Sequence, residues 1–125
     1  MRYAVFAAAL LTVSTAAHAE KIMIFGGQGH KTYLGCLSCN KFDYDSVFNE
    51  FGPHGSKFSP ESIFNHFSEY GSKFSSHSAC NKWASDPPVV VDKKGSFYGR
   101  LTLANRSDAI TDEKLVAWLA AVCEG

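Results

Sequence analysis

A sixteen-residue unit occurs three times in succession through the middle of this chain, opening at Cys39, Gly55 and Gly71. Each copy carries a lysine-phenylalanine pair (Lys41-Phe42, Lys57-Phe58, Lys73-Phe74), then a serine (Ser46, Ser62, Ser78), an asparagine (Asn49, Asn65, Asn81) and an aromatic (Phe51, Phe67, Trp83). A unit this short makes one supersecondary element and cannot bury a core alone, so the copies must pack on their neighbours. Such an array argues for a scaffold before it argues for an enzyme.

Within the units, Asp43, Ser59 or Ser75 stands where a helix N-cap acceptor would, preceded by a phenylalanine and followed by Val47, Ile63 or Ala79 at the staple position. Pro60 and Glu61 suit the first turn of the second copy. The asparagines suit helix ends, and Gly52-Pro53, Gly55, Gly71 and Pro87-Pro88 supply breaks. The pattern predicts one short helical turn per unit across residues 39–86. Leucine, isoleucine and valine are scarce there while phenylalanine is abundant, which predicts an aromatic core.

The flanks read as β-structure. Residues 21–25 and 32–37 are extended runs separated by Gly26-Gly27-Gln28-Gly29, which reads as a turn and lacks the ending of a phosphate-binding loop. Val89-Val90-Val91 leads through Asp92-Lys93-Lys94-Gly95 into residues 96–103, a second hairpin. Tyr33-Leu34-Gly35-Cys36-Leu37-Ser38 is similar to Phe97-Tyr98-Gly99-Arg100-Leu101-Thr102, four unit lengths further on, which suggests that the hairpins are related copies. Thr111 is expected to cap a C-terminal helix with Asp112 and Glu113 in its first turn and Leu115, Val116, Trp118, Leu119 and Val122 on the side that covers the sheet. The predicted class is a small α+β single domain: two β-hairpins in one sheet, three short helical-turn repeats and a C-terminal helix.

Met1-Arg2, the apolar run over residues 5–13 and Ala17-His18-Ala19 read as a secretory signal peptide, residues 1–19. Residues 20–125 are then one exported domain, periplasmic or secreted. No stretch reaches the roughly twenty apolar residues of a membrane-spanning helix. Twelve basic residues balance twelve acidic ones, which gives no reason to expect a nucleic-acid partner. The four cysteines of the exported part, Cys36, Cys39, Cys80 and Cys123, predict two disulfides and leave three connectivities open.

Tyr33-Leu34-Gly35-Cys36-Leu37, Asn40-Lys41-Phe42-Asp43-Tyr44-Asp45-Ser46 and Tyr70-Gly71-Ser72-Lys73-Phe74-Ser75 together resemble a family of uncharacterised exported bacterial modules. Those modules are built on Tyr-Leu-Gly-x-Leu, Asn-Pro-Tyr-Asp-Pro-Asp-Ser and Tyr-Gly-Ser-Pro-Tyr-Ser-Pro-Asp-Ser repeats. The resemblance covers roughly residues 32–102 and implies no activity. This chain departs from the pattern with Lys, Glu or His where proline is common and Phe where tyrosine is common.

Candidate chemistry is sparse. Cys36-Leu37-Ser38-Cys39 is a C-x-x-C pair, a motif that lowers a thiol pKa and exchanges disulfides. The run from Asp86-Pro87-Pro88 to the last helix also looks like the corresponding part of thioredoxin-like proteins, so an oxidoreductase using Cys36 and Cys39 is one alternative. That role needs an exposed Cys36 near a helix start. A periplasmic metal-binding protein is another, through His30, His54, His66, His77 and the thiols, although their spacing matches no known site. The variable repeat positions of His54, His66 and His77 point to solvent-facing side chains. The recurring serines and asparagines are expected to hydrogen-bond backbone rather than act as nucleophiles. No cofactor is expected. The favoured reading is a non-enzymatic binding or structural module whose partner is an envelope or extracellular protein, peptide or glycan.

Overall fold

The computed structural model describes residues 20–125. The expected signal peptide lies outside the described residues. Four strands, β1 (Ile22–Gly26), β2 (Thr32–Cys36), β3 (Val89–Asp92) and β4 (Phe97–Arg100), form one antiparallel sheet in the order β2-β1-β3-β4. The chain ends in a helix, α1 (Glu113–Glu124). The two hairpins flank the sheet centre, where the apolar strands β1 and β3 pair as Met23 with Val91 and Ile24 with Val90.

The hairpins match each other in geometry as well as in sequence. One row across the sheet runs Gly35, Ile24, Val90, Gly99, and a β-bulge follows that row in both hairpins. Gly35 and Gly99 have φ of 121° and 127°, a region that side chains rarely adopt. A Cβ on Gly35 would stand 2.7 Å from Val47 Cγ1, and one on Gly99 would stand 2.8 Å from Ile110 Cγ1. Both close approaches have the same origin. Cys36 donates to Asp45 and accepts from Val47, while Arg100 donates to Asp108 and accepts from Ile110, so each outer strand is flanked by a short parallel bridge. Asp108-Ala109-Ile110 is thus the counterpart of Asp45-Ser46-Val47.

Between the hairpins the expected helical turns are replaced by a chain of β-turns. Ser56, Ser59, Ser62, Asn65 and Ser68 each accept, through the side-chain oxygen, the backbone N–H two residues ahead. Ser72, Ser75, Ser78 and Asn81 repeat the device in the third unit, and Asn40, Ser46 and Asn49 in the first. An acceptor every third residue closes one turn after another and captures N–H groups that a helix would need for its own ladder. The signals that mark a helix start therefore mark turns here. Each unit is fastened by its asparagine, whose Nδ2 donates to the carbonyl six residues back: Asn49 to Asp43, Asn65 to Ser59 and Asn81 to Ser75.

This rhythm sorts side chains into columns. Val47, Ile63 and Ala79 point inward and join Ile24, Leu34, Val90, Leu101 and Leu119 in the core. The core is therefore chiefly aliphatic. Among the described residues Tyr70 is the one aromatic fully within it, and most of the repeat phenylalanines face water. A second column faces α1. Phe48 and Phe64 meet Trp118 with ring centroids 5.5 and 6.0 Å apart, and at the equivalent place Cys80 is bonded to Cys123. A third column, His54, Tyr70 and Asp86, faces the sheet. His54 is buried against Tyr33, with ring centroids 5.0 Å apart, and Nδ1 donates to the Glu61 carbonyl, so it is no solvent-facing residue. His66 and His77 are half-buried, again not free surface groups.

Helix α1 is capped by Asp112 rather than Thr111, its carboxylate accepting from Leu115 N–H at 3.0 Å. Leu119 and Cys123 are buried, with Leu115, Trp118 and Val122 packed beside them, whereas Val116 falls on the exposed side. His66 Nε2 donates to the Val122 carbonyl at 3.0 Å, satisfying one of the orphan acceptors of the helix end.

Candidate functional site

The aromatic residues that the turns turn outward form the candidate site. Phe51, Phe67 and Trp83 are 97%, 99% and 89% exposed, and Phe42, Phe58 and Phe74 are nearly as open. Their placement follows from the local geometry. In each Asn-x-aromatic triplet the asparagine holds the aromatic N–H, which leaves the ring on the outer side of the turn. Large exposed aromatics that recur at fixed positions mark a candidate interaction surface.

The rings wall grooves whose other side is α1. A groove of about 750 Å³ runs beside Phe74 and Trp83, reaching Lys73, Lys82, Ala120 and Glu124. A second of about 720 Å³ runs beside Phe58 and Phe67, reaching Lys57, His66, Ala121 and Val122. The repeat residues involved are equivalent: 57, 58, 64, 65, 66 and 67 in one groove and 73, 74, 80, 81, 82 and 83 in the other. A third groove of about 620 Å³ joins Phe51 of the first unit to Phe58 of the second, over Phe48, Phe64 and Trp118. These volumes suit ligands of small-molecule size or segments of a polymer.

The other candidate residues serve the scaffold. Ser46, Ser62 and Ser78 are fully buried, and each hydroxyl accepts a backbone N–H. Asn49, Asn65 and Asn81 use both ends of their amides within their own units. The disulfides pair Cys36 with Cys39 and Cys80 with Cys123. Cys36 is fully buried at the end of β2 and a bend follows it, so neither the exposure nor the helix start that an oxidoreductase role needs is found there. Two disulfides fit an oxidising, extracytoplasmic environment. No group of three or more histidine, cysteine, aspartate or glutamate side chains among the described residues converges as a metal site. No helix among the described residues is long and apolar enough to cross a membrane.

One polar network had no signal in the sequence pattern. Arg100 Nη1 donates to Asp86 Oδ1 at 2.7 Å and to the Pro87 carbonyl, and His30 Nε2 lies 2.8 Å from the same carboxylate oxygen. The Arg100 guanidinium, aided by His30, holds the Asp86 carboxyl below the usual carboxylate range. Asp108, bound by Arg106, is lowered in the same way. At the other sheet edge, Lys21 and Tyr33 lower Asp45, and burial with the Asp45 hydrogen bond raises the Tyr33 phenol well above its ordinary value. These contacts pin the hairpins to the turn chain. The lysines of the Lys-Phe pairs, by contrast, were visible as a repeat, but their position at the groove mouths depends on how the units pack.

No family model matches the chain, and neither a curated protein nor a solved structure shows significant similarity to it.

Proposed function

We propose that this protein is a non-enzymatic, exported binding module of the cell envelope, periplasmic or secreted, whose ligand docks on the aromatic face of the repeats. The observation that carries the reading is the exposure of Phe51, Phe67 and Trp83 at one repeat position, joined by Phe42, Phe58 and Phe74 at another. Side chains of this size are normally the first to be buried, and here a dedicated hydrogen bond in each unit keeps them out. The two disulfides and the apolar N-terminal run with its Ala17-His18-Ala19 ending support export.

The test is a triple variant, Phe51→Ala/Phe67→Ala/Trp83→Ala, compared with the parent protein for retention on columns of purified envelope polysaccharides and peptides. Loss of retention with an unchanged melting temperature is the expected result. A variant that unfolds, or that is retained as well as the parent, would show that the rings serve the fold or nothing at all.

A further inference from the structure

The two grooves beside α1 carry more information than their apolarity. They repeat the same residue types at the same positions along the chain, Lys57-Phe58 with Phe67 in one and Lys73-Phe74 with Trp83 in the other. Recurrence of one arrangement, unit after unit, suits a ligand that itself repeats. The flat faces of the rings suit a ligand with flat, partly apolar faces. What polar groups remain for the ligand is decided by what the fold has already used.

The serine hydroxyls and asparagine amides of the units are engaged by backbone. His66 is engaged by the Val122 carbonyl. In the groove of the second unit the remaining charged side chain is Lys57, beside Gly125 at the end of α1, and the groove of the third is lined by Lys73, Lys82 and one carboxylate side chain, Glu124. The polar side chains left over are therefore predominantly cationic donors, which call for an acidic ligand rich in acceptors.

Resting on the reading that the aromatic face binds, we infer that the two grooves bind an anionic polysaccharide, its sugar rings lying against Phe58 and Phe67 and against Phe74 and Trp83, its carboxylates meeting Lys57 and Lys73. A membrane surface is the less suitable partner, because these rings wall grooves with α1 as the opposite side.

The probe is polygalacturonate immobilised on a sensor surface, with a neutral β-glucan and vesicles of phosphatidylglycerol and phosphatidylethanolamine as comparisons. The protein should bind polygalacturonate, and Lys57→Gln/Lys73→Gln and Phe67→Ala/Trp83→Ala should each weaken binding about tenfold or more, as expected for losing charged hydrogen bonds or stacked rings. Binding should also weaken as salt approaches about 1 M, where the Debye length is about 3 Å. Both pairs are exposed, so each variant should keep the parent's melting temperature. Absence of binding to polygalacturonate, full binding by the lysine variant, full binding by the aromatic variant, or preference for the vesicles would each overturn the inference. Binding to the neutral glucan that needs Phe67 and Trp83 but not the lysines would overturn the acidic ligand and leave the aromatic face standing as the binding site.

Discussion

The side chain of Asn81 reaches back six residues to donate to the Ser75 carbonyl at 2.9 Å. Its Oδ1 also accepts from Trp83 N–H at 2.9 Å, so one buried amide closes the unit in both directions. Asn81→Ala should leave Trp83 N–H without its partner and the Ser75 carbonyl with the Ser78 N–H alone, and lower stability by about 0.5–1.5 kcal/mol. Asn81→Asp keeps the acceptor alone and should retain part of the loss. Urea unfolding of both variants checks this, and an alanine variant as stable as the parent would remove the asparagine clasp from the account.

The columns of the turn chain predict opposite outcomes for neighbouring hydrophobic residues. Ile63 is fully buried in the core and Phe67 is almost fully exposed. Ile63→Ala should cost about 2–5 kcal/mol. Phe67→Ala, although it removes the larger side chain, should change stability by no more than about 0.5 kcal/mol. Reversal of that order in denaturant melts would mean that the rings face inward in solution.

Asp86 predicts a pH effect. Its carboxyl is lowered by Arg100 and, secondarily, His30, so ionisation favours the folded state. That stabilisation is complete above the ordinary carboxylate value near 4 and is lost as pH falls through the depressed folded value. Asp86→Asn should lower the urea midpoint at neutral pH and flatten the acid limb of the stability curve. An unchanged acid limb would show that solvent screens the contact.

The two disulfides should differ in accessibility and in their contribution to stability. Cys80 and Cys123 are buried and tie α1 to the third unit across 43 residues of chain. The double variant Cys80→Ser/Cys123→Ser should lose about 2–5 kcal/mol. In the other pair Cys39 is half-buried while Cys36 is fully buried, so after mild reduction alkylation should reach Cys39 first. Peptide mapping that finds Cys36 or Cys39 bonded to Cys80 or Cys123 would refute the pairing.

The hairpins and the last helix were legible because local pattern and tertiary environment agree there. Val89-Val90-Val91 and the Lys93-Lys94-Gly95 turn mean one thing in any context, and α1 has an acidic start and an apolar stripe. In the central segment the recurring serines and asparagines were legible, but the turns they close were not. Ser59 or Ser75 caps a helix or closes an isolated turn through the same oxygen, and only the recurrence of acceptors at Ser62, Asn65 and Ser68 decides between them. The aromatic face was hidden for a related reason. Phenylalanine composition favours a core, whereas the direction in which Phe58 or Phe67 points is set by the turn that precedes it. The Asp86 network was hidden because His30, Asp86 and Arg100 meet only when both hairpins and the third unit are in place.

Because each asparagine fastens a stretch that begins and ends inside its own unit, a unit keeps its shape without borrowing hydrogen bonds from the sheet for that fastening. The sheet, with its paired glycines, acts as the bracket, and the segment strung between β2 and β3 as a strip of locally closed tiles. Local fastening and attachment to the frame are thereby handled by different side chains, the asparagines inside each unit and His54, Asp86 and Cys80 between the units and the rest of the fold.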